Sequence, residues 1–264
     1  MIISHRHRFI FIHCRKVAGS SITAYLNQFL GPRDIQIGIW KDTLQAGGRP
    51  NLRVLGECVT PSGARAILSR LRGSVRKRQL PTLGQLLNTA NRAVWARRFP
   101  AKPMHPTAAE VQTAFPKEWK EYWKFCFVRN PWDRVVSEYH WANANARGVS
   151  FDEFVERLAD PDRKDPYQVR PVPADTWSMY TIDDAVVADY IGRFENLAGD
   201  MESICARLGL PFDTARFPKL KNGRRNTYRS WYCDRSRQLI ADRYRPEVTR
   251  FGYLFDADAD DCCR

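Results

Sequence analysis

Two short, largely apolar runs organise the hydrophobic pattern of this chain. The first covers residues 9–12 and the second covers residues 123–128. Each run leads into a few polar residues and then into apolar positions at helical spacing. A run without polar alternation is typical of a strand buried on both faces of a parallel sheet. The pattern therefore predicts two strand–loop–helix units in a single α/β domain, with a central parallel β-sheet flanked by helices.

The remaining pattern predicts a chain rich in helices. Apolar positions recur at helical spacing over residues 64–71 and 83–95. Thr107 followed by Glu110 is a capping-box pattern and predicts that a helix begins there. A run rich in aliphatic residues over 52–58 is predicted to be a further strand.

The loop after the first apolar run carries residue types that bind an anion. Lys16 supplies a full charge, Ser20 and Ser21 supply hydroxyl donors, and Gly19 permits close backbone approach. The N–H groups at the start of the following helix also favour an anion. This is not the nucleotide-binding pattern G-x-x-x-x-G-K-[ST], because the lysine precedes the loop's only glycine. The alternative is an ordinary strand-to-helix turn with a capping serine.

The second unit offers two more anion ligands. Arg129 stands where the second strand ends, and Ser137 lies about two turns into the following helix. Both side chains can therefore reach one anion. An arginine can grip a phosphate through two parallel hydrogen bonds.

Together the two units resemble the sulfotransferase family that uses 3'-phosphoadenosine 5'-phosphosulfate (PAPS), and specifically its carbohydrate, family 2-like branch. In that branch the motif H-x-P-K-x-A-G-[ST]-[ST] holds the 5'-phosphosulfate. A later motif, F-x-F-V-R-N-P-[WYF]-D-R-x-x-S-x-Y, holds the 3'-phosphate. The later motif is present residue for residue from Phe125 to Tyr139. The first motif departs at Arg15, where the family usually has proline, and this departure adds a charge to the loop.

The resemblance implies a role for each of these side chains. Lys16 is a predicted catalytic residue, which would stabilise the charge that builds on the oxygen between sulfur and the 5'-phosphate. A basic loop near residue 224 can cover the nucleotide. The predicted cofactor-binding residues are Arg15, Lys16, Gly19, Ser20, Ser21, Arg129, Ser137, Arg224 and Arg225. This chemistry requires no metal, and the sequence shows no metal-ligand spacing.

The other predicted catalytic residue is the base that takes the proton from the acceptor hydroxyl. His105 stands just before the helix start at Thr107, where carbohydrate sulfotransferases similarly have their proposed base. The unperturbed pKa of a histidine, about 6.5, suits proton abstraction at neutral pH. Glu57 and Glu195 are the alternative bases.

The charge distribution indicates an anionic partner. The chain has a formal net charge of +13. Residues 34–102 look like a family-divergent, largely basic helical insertion. We expect residues 62–102 within it to be an acceptor-side arm for an anionic partner, either a polyanion or an acidic, glycan-bearing membrane surface. The alternative is a nucleic-acid or polyanion-binding protein with a vestigial nucleotide site, against which the intact second motif argues. Residues 62–102 hold no Asp or Glu but hold Arg65, Arg70, Arg72, Arg76, Lys77, Arg78, Arg92, Arg97, Arg98 and Lys102.

Length and cysteine content complete the prediction. A chain of 264 residues, 44% of them hydrophobic, can bury the core of one domain spanning residues 1–264. Its seven cysteines form no C-x-x-C pair, which favours reduced thiols. No apolar run approaches a membrane span, and no signal peptide is recognised. We predict a cytoplasmic sulfotransferase without a membrane anchor. Its acceptor is a carbohydrate hydroxyl, with a non-carbohydrate small molecule as the alternative.

Overall fold

The computed structural model describes residues 1–76, 78–100, 103–171, 175–218 and 227–256, and it describes only the main chain of Arg76. The strands are β1 (Ile2–Ser4), β2 (Phe9–Ile12), β3 (Ile35–Gln36), β4 (Trp123–Val128), β5 (Thr181–Ile182), β6 (Ala185–Val186) and β7 (Tyr190–Arg193). β5 and β6 form a small hairpin, and the others form one sheet.

The main sheet has the strand order β3-β1-β2-β4-β7. Its centre is parallel, because β4 pairs in parallel with both β2 and β7. The predicted central parallel sheet is therefore confirmed. β1, which the hydrophobic pattern did not predict, pairs antiparallel with β2 and with β3. Since β2 and β4 are parallel neighbours, the loops that follow them lie side by side at the carboxyl edge of the sheet.

The helices pack around this sheet and in one separate group. None of them, within the described part of the chain, is long and apolar enough to cross a membrane. Their bounds are α1 (Gly19–Asn27), α2 (Trp40–Gln45), α3 (Leu52–Val59), α4 (Pro61–Arg76), α5 (Leu83–Trp95), α6 (Ala108–Ala114), α7 (Pro116–Glu121), α8 (Pro131–Trp141), α9 (Phe151–Ala159), α10 (Leu197–Leu208), α11 (Asp234–Arg243) and α12 (Arg245–Phe251).

Aromatic rings on the two central strands join the two predicted units. Phe125 of β4 lies 5.6 Å from Phe9 and 5.2 Å from Phe11 of β2, measured between ring centroids. All three side chains are fully buried. Burying so much apolar area dominates the stability of a domain. The packing therefore holds the loops after β2 and β4 in a fixed relation.

Helices α2, α3 and α5 have a small core of their own within residues 34–102. It consists of Trp40, Val54 and Leu87. Glu57 adds a buried polar contact, since its carboxylate accepts hydrogen bonds from Asn91 Nδ2 at 2.7 Å and Trp95 Nε1 at 3.0 Å. The predicted helices are present here, one over the predicted residues 83–95 and the other longer than predicted as α4.

The predicted strand over residues 52–58 is wrong, because these residues form helix α3. The side chain of Asn51 caps this helix by accepting a hydrogen bond from the Val54 N–H at 3.1 Å. Val54 and Glu57 face inward at helical spacing, whereas Leu52 and Leu55 are exposed. A short aliphatic run is compatible with a strand or with a helix, and the cap at Asn51 stabilises the helix here.

Candidate active site

The loop between β2 and α1 has a backbone suited to an anion. Lys16 (φ 60°) and Ala18 (φ 61°) are both left-handed, with Val17 between them. Such a backbone turns successive N–H groups into one concavity. Helix α1 begins after Ala18 without a side-chain cap, and its first turn holds no acidic residue. The serine-capped turn is therefore absent, and the positive end of the helix faces the loop.

Gly19 has a second function that the sequence did not show. A Cβ atom built on Gly19 would lie 1.9 Å from Nε2 of His13. The buried His13 ring fills this space and stacks on Phe11 at a centroid distance of 5.7 Å. Glycine is therefore required for the ring of His13 to pack against the start of α1.

Arg129 connects the second unit to the first. Its Nη1 donates a hydrogen bond to the backbone oxygen of Lys16 at 2.9 Å, and its Nη2 lies 2.6 Å from Asp133 Oδ2. The guanidinium also lies over the ring of Phe194, 3.9 Å from its centroid. Burial lowers the pKa of Arg129 to about 10, while the Glu195 carboxylate opposes this shift. The side chain therefore stays charged at neutral pH beside the loop between β2 and α1.

One face of helix α8 borders the same loop. Arg15 forms a two-pronged ion pair with Glu138 of this helix, Nε to Oε1 at 3.0 Å and Nη2 to Oε2 at 2.7 Å. Trp141 lies one turn further on, with Arg15 5.2 Å and Lys16 5.9 Å from its ring centroid. Ser137 is half-buried one turn before Trp141, on the same face. Arg15 thus binds a carboxylate of the protein, and its predicted contact with a cofactor stays a prediction.

Most of the second motif holds the helix in place. Asn130 caps α8 by accepting a hydrogen bond from the Trp132 N–H at 3.1 Å, and Pro131 occupies the first helical turn. Arg134 is buried and pairs with Glu247 of α12 at 2.9 Å. Burial alone would lower the pKa of Arg134, but the Glu247 carboxylate raises it above its ordinary value. The motif therefore positions Arg129 and Ser137 through buried contacts of their neighbours.

His105 is anchored to the loop between β2 and α1. Its Nδ1 lies 2.9 Å from the backbone oxygen of His13, and the two rings meet edge to face at a centroid distance of 4.9 Å. A carbonyl oxygen can only accept a hydrogen bond, so Nδ1 carries the proton. In the neutral ring Nε2 then holds the lone pair, which is the arrangement a general base needs.

The two alternative bases already have structural partners. Glu57 accepts the hydrogen bonds from α5, and burial raises its pKa in spite of them. Glu195 accepts hydrogen bonds from the Asn130 N–H at 2.7 Å and from the Tyr253 hydroxyl at 3.4 Å. These contacts favour His105 over both carboxylates.

The structure thus brings most of the predicted site together at one edge of the sheet. Arg224 and Arg225 lie outside the described residues. Across the described ranges, no three His, Cys, Asp or Glu side chains are placed to hold a metal ion. Sequence reasoning missed Glu138, Trp141 and the anchoring carbonyl of His13. No signal in the sequence could have found Glu138, because the burial of Arg15, which requires a carboxylate partner, is seen only in the structure.

These features define a class, namely α/β proteins in which a loop suited to an anion lies at the carboxyl edge of a parallel sheet. Within that class, the chain belongs to the sulfotransferase family, whose model matches residues 1–254. The family predicted from the two motifs is confirmed. The protein is therefore an enzyme of sulfuryl transfer, and its family implies PAPS as the sulfate donor.

Other comparisons add little about function. An uncharacterized protein of Archaeoglobus fulgidus is 33% identical over 98 residues, which cover 34% of this chain and 70% of that protein. No solved structure matches the chain significantly.

Proposed function

We propose that the protein transfers the sulfuryl group of PAPS to a hydroxyl of a carbohydrate acceptor. One observation carries the proposal: His105 is bonded through Nδ1 to the His13 carbonyl at 2.9 Å. This hydrogen bond holds the proposed base against the loop between β2 and α1. Holding reactants in a fixed geometry is a large part of what such an enzyme can contribute.

The residues of the site fit the donor. The left-handed loop and the start of α1 form a concavity for an anion, and Lys16 brings a positive charge to it. We assign Gly19, Ser20 and Ser21 to the 5'-phosphosulfate end, and Arg129 with Ser137 to the 3'-phosphate. When bound, the donor supplies the sulfuryl group. Arg15 attaches this loop to helix α8 through its ion pair with Glu138.

His105 is proposed to take the proton of the acceptor hydroxyl at Nε2. The carbonyl of His13 holds the ring in the required tautomer before transfer. After transfer the ring is positively charged, and the same carbonyl then accepts a stronger, charge-assisted hydrogen bond. Lys16 stabilises negative charge on the leaving oxygen.

The assignment of a carbohydrate acceptor is based on the second motif, which matches the carbohydrate branch of the family in every specified position. We also propose that the protein is located in a reducing compartment, namely the cytoplasm. The odd number of cysteines in the sequence supports it.

The donor assignment is tested by calorimetry with two nucleotides. Arg129→Ala should weaken binding of 3'-phosphoadenosine 5'-phosphate about 10- to 100-fold, the scale of a hydrogen bond to a charged group. Binding of adenosine 5'-phosphate, which lacks the 3'-phosphate, should weaken less, because only the contact of Arg129 with the Lys16 backbone is lost for it. Arg8→Ala, at an exposed arginine paired with Glu121, serves as the control. Equal losses for both nucleotides would show that Arg129 does not read the 3'-phosphate.

The acceptor and the base are tested together by transfer of labelled sulfate to a panel of glycans. We expect turnover on at least one glycan, and His105→Ala should lower kcat about 100-fold or more with little change in nucleotide affinity. His140→Ala, at an exposed histidine on α8, is the matched control. Near-normal kcat in His105→Ala would move the search for the base to Glu195. Labelling of small alcohols but of no glycan would overturn the carbohydrate assignment.

A further inference from the structure

Helix α3 turns aliphatic side chains outward. Leu52 is 71% exposed and Val59 is 81% exposed, and they lie two turns apart on one face. The opposite face packs inward through Val54 and Glu57. A soluble helix ordinarily places polar residues on its outer face.

Helix α4 shows a related pattern in which cations alternate with aliphatic residues. Arg65, Leu68, Arg72 and Val75 follow each other at intervals of three or four residues, so they share one face. All four are exposed, Leu68 by 53% and Val75 by 68%. The name outer surface of α3 and α4 is used here for exposed side chains of these two consecutive helices, namely Leu52, Val59, Arg65, Leu68, Arg72 and Val75. This set is both apolar and basic.

Helix α4 itself contains no acidic residue, and the only one in α3, Glu57, faces inward. Between Glu57 and Glu110 the chain contains no Asp or Glu. Among the ion pairs of the described residues, none involves Arg65 or Arg72. Cations that repel one another without compensation indicate an anionic partner.

The combination of aliphatic and basic side chains decides which anion fits. Nucleic acid is held by cations and by aromatic rings that stack on bases, and this surface has no aromatic side chain. A second copy of the chain would bring like charges together. An anionic bilayer attracts the arginines and also accepts the aliphatic side chains among its acyl chains.

We propose that the outer surface of α3 and α4 binds an anionic lipid bilayer, with both helices lying in the interface. Helix α3 is held from within through Val54, which belongs to the small core with Trp40 and Leu87. This inference is independent of the proposed sulfuryl transfer, because binding to vesicles needs neither donor nor turnover.

The test is cosedimentation of the full chain with vesicles of two compositions. One is phosphatidylcholine alone, and the other is equal parts phosphatidylcholine and phosphatidylglycerol. We expect binding only to the second. Arg65→Gln/Arg72→Gln should weaken it about 30-fold, as expected for two cations at an anionic surface. Leu68→Gln/Val75→Gln should weaken it at least about tenfold, because the aliphatic contact with the acyl region is lost.

Matched controls make the result specific to this surface. Arg207→Gln/Arg250→Gln removes two exposed charges from other helices, and Leu254→Gln removes an exposed leucine elsewhere. Both controls should bind vesicles nearly as the wild type does, and all variants should show wild-type circular dichroism. Absence of vesicle binding by the wild type would overturn the proposal. So would a wild-type affinity in Leu68→Gln/Val75→Gln, because charge alone would then explain binding to any polyanion.

Discussion

The ion pair between Arg15 and Glu138 should be among the costliest contacts in the protein to break. Both side chains are almost completely buried, 3% and 6% exposed, and the pair is two-pronged. In Glu138→Ala the guanidinium of Arg15 stays buried without this carboxylate. Removing one partner of a buried pair costs about 3–5 kcal/mol, most of it the desolvation of the remaining charge.

Thermal denaturation followed by circular dichroism measures this cost. At about 2–4 °C per kcal/mol for a chain of this size, Glu138→Ala should lower Tm by about 6–20 °C. The control is Glu121→Ala, which breaks the exposed pair with Arg8 at 3.1 Å. An exposed pair contributes at most about 1 kcal/mol, so its Tm should fall by no more than about 4 °C.

A double variant separates the lost charge pair from lost packing. Arg15→Met/Glu138→Leu removes both charges and keeps similar volume, so it should be more stable than Glu138→Ala. The nucleotide affinity of Glu138→Ala should also fall, because Arg15 belongs to the loop that we propose binds the donor. If Glu138→Ala and Glu121→Ala lowered Tm equally, the buried pair would not be what holds the loop to α8.

Two further substitutions test how the site is supported. Gly19→Ala should cost about 1–3 kcal/mol in urea unfolding and lower kcat, because the new methyl displaces the His13 ring beside the carbonyl that holds His105; wild-type stability would contradict this packing. Thr107→Ala removes the cap of α6, so it should lower the free energy of unfolding by about 1 kcal/mol and should also lower kcat. Thr82→Ala removes the matching cap of α5, should cost the same stability, and should leave kcat unchanged; equal kcat losses in both would contradict a local effect at His105.

Local patterns in the sequence determined much of this protein. The two apolar runs became β2 and β4, and helix α5 has the bounds that its spacing predicts. The capping box at Thr107 is present with both of its hydrogen bonds. Such features depend on contacts within a few residues, which is why spacing and residue type suffice to predict them. The same is true of the motifs that identified the family.

Contacts between distant segments were decided only by the tertiary structure. Arg15 and Glu138 are 123 positions apart, and His105 and the His13 carbonyl are 92 apart. Which carboxylate a buried arginine meets, or which carbonyl fixes a histidine tautomer, depends on β2 and β4 becoming parallel neighbours. Pairing of this kind is set by burial of the whole core, so no short stretch of sequence encodes it. The residue types in the loops are therefore a local property of the sequence, whereas the residues that these loops contact are set by the tertiary structure.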